Sequence, residues 1–96
     1  MRKLSPIHPG EILKEEFLVP LGLSSTAFAK RLGVPTNRIS RIVNGSSAIT
    51  AETSILLAKA LRTTPNFWMN LQSRYELQMA KDNTPNLDHI EPVVAA

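Results

Sequence analysis

Residues 24–45 read SSTAFAKRLGVPTNRISRIVNG, two short amphipathic runs on either side of Leu32-Gly33-Val34. In the first run Phe28, Ala29 and Leu32 fall at i, i+1 and i+4; in the second, Ile39 and Ile42 fall at i and i+3. Each run therefore carries one apolar stripe of helical period. Ala29 is small enough to let two helix backbones approach where they cross, and Gly33 suits a helix end that needs the left-handed conformation. Ser24 or Ser25 can accept from the free amides of the first helix. Pro35 suits the first turn of the second, with its preset φ and missing N–H, and Asn44-Gly45 can close it. Thr36, Asn37, Arg38 and Arg41 point away from Ile39 and Ile42, giving the second helix a polar, basic outer face. Two short helices around a tight turn, the second decorated in this way, is the layout of a helix-turn-helix, which sets one helix in the major groove of DNA.

The charge distribution agrees with that layout. Residues 24–45 contain Lys30, Arg31, Arg38 and Arg41 and no acidic residue, a local charge of +4 in a chain whose net charge is +3, so the remainder is slightly negative. A four-charge run on a short helix pair is, taken alone, commonly just a solvated face. Joined to the turn glycine and the small residue at the crossing, it reads as a surface for phosphates, whose neutralisation releases counterions and raises affinity. Arginine offers a two-pronged donor to guanine, and asparagine both donates to and accepts from adenine. Arg38 and Asn37 are therefore the expected base readers, and Lys30 an expected phosphate contact.

Outward from the motif, the flanks also read as helices. Pro9-Gly10 opens EILKEEFL, with Ile12, Leu13 and Phe17 on an apolar edge, and Pro20-Leu21-Gly22 stops it. Thr50 is an N-cap for AETSILLAKAL, in which Ile55, Leu56, Ala58 and Leu61 are expected to face the motif. Thr64-Pro65 opens a long fifth helix with Trp68, Leu71, Tyr75 and Met79 as its stripe and Met69 and Leu77 as a second apolar edge. Trp68 is expected in the core. No strand-like alternation or internal repeat occurs, so the expectation is an all-α, five-helix domain over residues 1–79. Residues 80–96 form a tail, either mobile or ordered against a partner; Ile90, Val93 and Val94 tilt that choice towards an arm.

Other chemistry is hard to find in 96 residues with 43% hydrophobic content, a size for one small helical core rather than a large enzyme pocket. Glu15 and Glu16 are adjacent and diverge on a helix, so they form no catalytic carboxylate pair. His8 and His89 lack carboxylate or thiolate neighbours at metal-ligand spacing, and there is no phosphate-cradling glycine loop. No enzyme activity, metal or cofactor is expected. The chain has no cysteine, no long apolar run and no apolar signal core at its start, so a cytoplasmic location without membrane contact is expected.

Four segments carry a family resemblance: HPGEILKEEFLVPLGLS (8–24), LGVPTNRISRIVNG (32–45), AITAETSILLAKAL (48–61) and TPNFWMNLQSRYEL (64–77). Over about residues 6–79 the chain resembles the HigA-type antitoxins of bacterial toxin–antitoxin pairs, within the Xre or lambda-repressor-like class. The opening HPGEIL and the closing FW-NLQ-YEL make the match specific, whereas the central motif alone would fit many repressors. The resemblance implies a homodimer that binds double-stranded operator DNA in its own promoter. It also implies sequestration of a co-encoded HigB-type toxin, an RNase that cleaves messenger RNA. The alternative is a stand-alone Xre-type repressor with no toxin partner. Carried over by position, the second motif helix starts at Pro35 and puts Thr36, Asn37, Arg38 and Arg41 at the groove. Ser25, Thr26, Ser40, Asn44 and Ser46 then lie near phosphates. Two residues depart from the family pattern: Pro35 stands where many relatives carry a serine or threonine cap, and Arg62 where a helix-ending glycine is common.

Overall fold

The computed structural model describes residues 6–95, and its described residues hold helices and turns without a strand. Five helices follow one another. The first, α1, covers residues 9–21 in three contiguous stretches: α-helical Pro9–Ile12, π-helical Leu13–Leu18 and α-helical Val19–Leu21. The others are α2 (Ser25–Leu32), α3 (Thr36–Val43), α4 (Ala51–Leu61) and α5 (Pro65–Asn83).

The widened turn in α1 has a local cause. Pro20 has no N–H, and its ring would collide with the carbonyl four residues back in a regular helix. Opening the preceding turn to the i→i−5 pattern, as in the Val19 N–H to Lys14 carbonyl bond, avoids the collision. The helix then ends at Gly22, left-handed at φ 66°, with the Leu23 amide returning to the Leu18 carbonyl at 2.9 Å.

Side-chain caps start three of the helices as the residue types dictate. Ser24 Oγ accepts from Ala27 N at 3.0 Å, Thr50 Oγ1 from Thr53 N at 3.3 Å and Thr64 Oγ1 from Phe67 N at 3.1 Å. At the start of α1, His8 is the cap: its Nδ1 accepts from Gly10 N at 2.9 Å.

Leu13, Leu18, Phe28, Ala29, Ile39, Ile42, Ile49, Leu57 and Trp68 form one buried cluster that draws on every helix. Trp68 is fully enclosed and donates from Nε1 to Thr63 Oγ1 at 2.7 Å, which satisfies its polar end. Phe17 and Phe67 pack around it with centroids 5.4 and 4.9 Å away, tying α1 to α5.

Two apolar stripes differ from their sequence-based expectation. On α4 the buried residues are Thr53, Ser54, Leu57 and Ala58, while Ile55 is 59% exposed and Leu56 and Leu61 are half-buried. In a helix that is apolar nearly all round, periodicity does not select the inward face; the Ser54 hydroxyl escapes burial cost by donating to the Ala51 carbonyl. On α5, Trp68 is buried, Leu71 and Tyr75 are half-buried and Met79 is exposed, because the helix runs past the end of the core. The residue buried one turn beyond Trp68 is instead Gln72, whose Oε1 accepts from Ile49 N at 2.8 Å. The helix continues through Asn83, so the 79/80 boundary read from the sequence lies within it, and Leu87, Ile90, Val93 and Val94 beyond are exposed.

Candidate nucleic-acid interface

Helices α2 and α3 are locked together through their apolar stripes: Phe28, Ala29, Ile39 and Ile42 are all buried. Between them Gly33 is left-handed at φ 72°, with its own amide on the Lys30 carbonyl and the Val34 amide on the Ala29 carbonyl, both at 3.1 Å. The small side chain at position 29 and the left-handed turn together bring the second helix across the first. Burial of Ile39 and Ile42 leaves Thr36, Asn37 and Arg41 exposed on the opposite side of α3, with Arg38 partly exposed beside them.

The N-terminus of α3 differs slightly from expectation. Pro35 has φ −59° and ψ 143°, so it precedes the helix as its cap residue, and the first helical residue is Thr36. A proline has no side-chain acceptor, and α3 has no side-chain cap. The Arg38 amide donates to the Pro35 carbonyl at 3.0 Å, and the Thr36 and Asn37 amides lack a side-chain acceptor at the positive end of the helix dipole, a setting that favours an anion such as a phosphate oxygen.

The remaining expected contacts divide into free and engaged side chains. Thr26 and Lys30 are exposed on α2, and Ser25 is half-buried in its first turn. Ser40 Oγ donates to the Asn37 carbonyl at 3.4 Å. Asn44 and Ser46 hold one another in the turn after α3: Asn44 Oδ1 accepts from the Ser46 amide at 3.0 Å and also from the Ser46 hydroxyl. The Arg41 carbonyl accepts from both the Ser46 and Ser47 amides. The Ser46 hydroxyl also donates to the Arg41 carbonyl at 3.4 Å, so the turn is internally hydrogen-bonded, and among the described residues the Asn44 side-chain N–H groups have no partner.

Three features of the site had no signal in helical periodicity. Arg38 Nη1 pairs with Glu52 Oε1 at 2.9 Å, across 14 residues of sequence, from the first turn of α3 to the first turn of α4. Gln72 fastens the loop after α3 through the Ile49 amide. Gly10, in the buried opening of α1, lies so close to the end of α3 that a Cβ there would sit 1.7 Å from the Ile42 carbonyl oxygen. Position 10 is therefore a backbone-to-backbone contact that seats α1 on α3. Beside it, burial lowers the pKa of the His8 imidazole below its ordinary 6.5, against the opposing effect of a hydrogen bond to the Ser47 backbone. The His8 ring also meets the Tyr75 ring edge-on at 4.8 Å. The Pro9-Gly10 pair in the HPGEIL stretch is the available signal, since a glycine early in a helix is costly unless close approach requires it.

Among the described residues no group of His, Cys, Asp and Glu is arranged to hold a metal, and no helix is long and apolar enough to cross a membrane.

A family model described as helix-turn-helix matches residues 13–68. The chain is 41% identical over 91 residues to virulence-associated protein I of Dichelobacter nodosus, covering 95% of this chain and 84% of that one. It is 45% identical over 75 residues to antitoxin HigA-1 of Vibrio cholerae, covering 78% of this chain and 70% of that one. Among solved structures, Pseudomonas aeruginosa antitoxin HigA with the higBA promoter superposes with a TM-score of 0.85 at 41% identity, over 93% of this chain and 99% of that one.

Proposed function

Because this chain belongs to the HigA-type branch of the helix-turn-helix family, we propose that it is an antitoxin with two binding activities. As a homodimer it binds an operator in its own promoter and represses the operon. It also binds a co-encoded HigB-type mRNA-cleaving toxin and neutralises it. A single reading helix spans only a few base pairs, so useful selectivity over a genome requires two half-sites about one helical turn apart, hence two subunits.

The observation that carries the DNA-binding half is the outer face of α3. Ile39 and Ile42 are buried on one side, and Thr36, Asn37 and Arg41 stand exposed away from the core, with Arg38 partly exposed beside them and paired to Glu52. Arg38 and Asn37 read bases; Lys30 and the uncapped amides of α3 hold phosphates. The solved HigA relative bound to a promoter supports the same use of this fold. The toxin-binding half rests on the family.

Purification of the tagged chain from its native host at moderate salt, with mass spectrometry of proteins co-eluting at equal stoichiometry, tests the toxin half. Recovery of a small partner whose expression alone halts growth is the expected result, and recovery of the chain alone, still bound to its promoter, leaves a plain repressor. For the DNA half, Lys30→Ala is expected to weaken operator and random duplexes alike, while Arg38→Ala relaxes base preference. Equal loss on both duplexes for Arg38→Ala would remove it as a base reader.

A further inference from the structure

We infer that Glu52 is a positioning residue for base recognition, holding the Arg38 guanidinium in a reading orientation before DNA arrives. The inference rests on the DNA-binding reading and adds to it a residue outside the helix-turn-helix itself. An exposed ion pair of this kind adds little to stability, and the two side chains are 38% and 74% exposed. Stability therefore does not account for placing a carboxylate at the edge of a basic DNA-facing surface, where it repels phosphates.

The geometry accounts for it. Arg38 sits in the first turn of α3, where the positive end of the helix dipole disfavours a cation, whereas Glu52 sits in the first turn of α4, where a carboxylate is favoured. Glu52 is thus a favourably placed acceptor that draws the guanidinium towards α4. The contact uses Nη1 alone. Guanidinium carries five N–H donors in a planar fork, so the Nη2 and Nε edge keeps the two-pronged geometry that guanine O6 and N7 require. A long arginine side chain otherwise loses considerable rotamer freedom on binding; here part of that ordering is present in the free protein. The paired carboxylate also cancels much of the attraction Arg38 would exert on any phosphate. Arg38 is thereby made less adhesive to DNA in general and more dependent on the base it meets.

The test is a binding titration over a range of salt. It compares the wild-type chain, Glu52→Ala, Glu52→Gln, Arg38→Ala and the Arg38→Ala/Glu52→Ala double variant. Two probes serve: a duplex spanning the promoter of its own gene and a scrambled duplex of equal length and composition. Glu52→Ala is expected to lower the promoter-to-scrambled affinity ratio about tenfold. Its binding to the scrambled duplex should become tighter, with a salt slope steeper by about one, as a released Arg38 neutralises a phosphate. Glu52→Gln, which keeps an acceptor oxygen, is expected to retain part of the selectivity, and the double variant to match Arg38→Ala alone. An unchanged ratio in Glu52→Ala, or equal loss on both duplexes, would overturn the inference, as would a double variant that adds the two single losses. A wild-type chain with no preference for its promoter would instead overturn the DNA-binding reading.

Discussion

Two single residues show how backbone geometry is reported, or hidden, by residue type. Arg62 ends α4 in the left-handed conformation, at φ 55° and ψ 43°, and among the described residues it is the one non-glycine with positive φ. Its Cβ crowds the adjacent carbonyl there, a penalty that glycine escapes. Arg62→Gly is therefore expected to stabilise the fold by about 0.5–1 kcal/mol, net of the extra freedom glycine gives the unfolded chain. Urea denaturation of the two proteins checks it, and a destabilised variant would mean the arginine side chain contributes contacts that outweigh its strain. Gly10 presents the opposite case, with ordinary φ and no room. A methyl group there would meet the Ile42 carbonyl oxygen at 1.7 Å, so Gly10→Ala must push α1 away from α3. The expected cost is about 3 kcal/mol, at the upper end for overpacking because the obstacle is backbone. The midpoint of thermal unfolding should fall accordingly.

At the scale of elements, the docking of α1 on the end of α3 is tuned by His8. Its Nδ1 accepts from the Gly10 amide, so the neutral ring carries its proton on Nε2, and protonation of Nδ1 would set two donors against each other. Burial holds the folded-state pKa below the 6.5 of the free side chain, with the Ser47 backbone contact opposing in part. The sign follows. Above about pH 6.5 the ring is neutral in both states and the cap is intact; as pH falls through 6.5 towards the lower folded value, the unfolded chain takes up the proton first and stability declines. Denaturation midpoints between pH 8 and pH 5 should show this decline, and His8→Asn, which keeps a capping acceptor without titrating, should flatten it. Elsewhere the element ends were legible in the chain: serine and threonine caps before α2, α4 and α5, and glycines after α1 and α2, act through local hydrogen bonds. The inward face of α4 was not legible, because nearly every position there is apolar or small and only the neighbouring helices distinguish Leu57 from Ile55.

For the whole molecule, the last turns of α5 and the segment after it carry a run of exposed apolar side chains. Leu77, Leu87, Ile90, Val93 and Val94 are between 52% and 98% exposed, more apolar surface than a solvated end requires. The proposed homodimer would cover part of it, since a two-fold interface buries the same patch on both subunits. Sedimentation at concentrations on the order of 10 µM should give a dimer, and Leu77→Glu should shift it towards monomer without unfolding it. A monomeric wild-type chain at that concentration would count against the dimer and against two-half-site recognition together.

The boundary between what was readable along the chain and what was not follows the range of the forces involved. Helix periodicity, caps, the left-handed glycine at position 33 and the separation of Ile39 and Ile42 from Arg38 and Arg41 are consequences of contacts within about one helical turn, so the residue order alone specifies a helix-turn-helix and its outward face. Arg38 with Glu52, Gln72 with the Ile49 amide, and Gly10 against Ile42 join residues 14 to 32 positions apart. Such pairs are invisible to any local pattern, because each depends on where two helices come to rest once Trp68, Leu13 and Leu57 have packed between them.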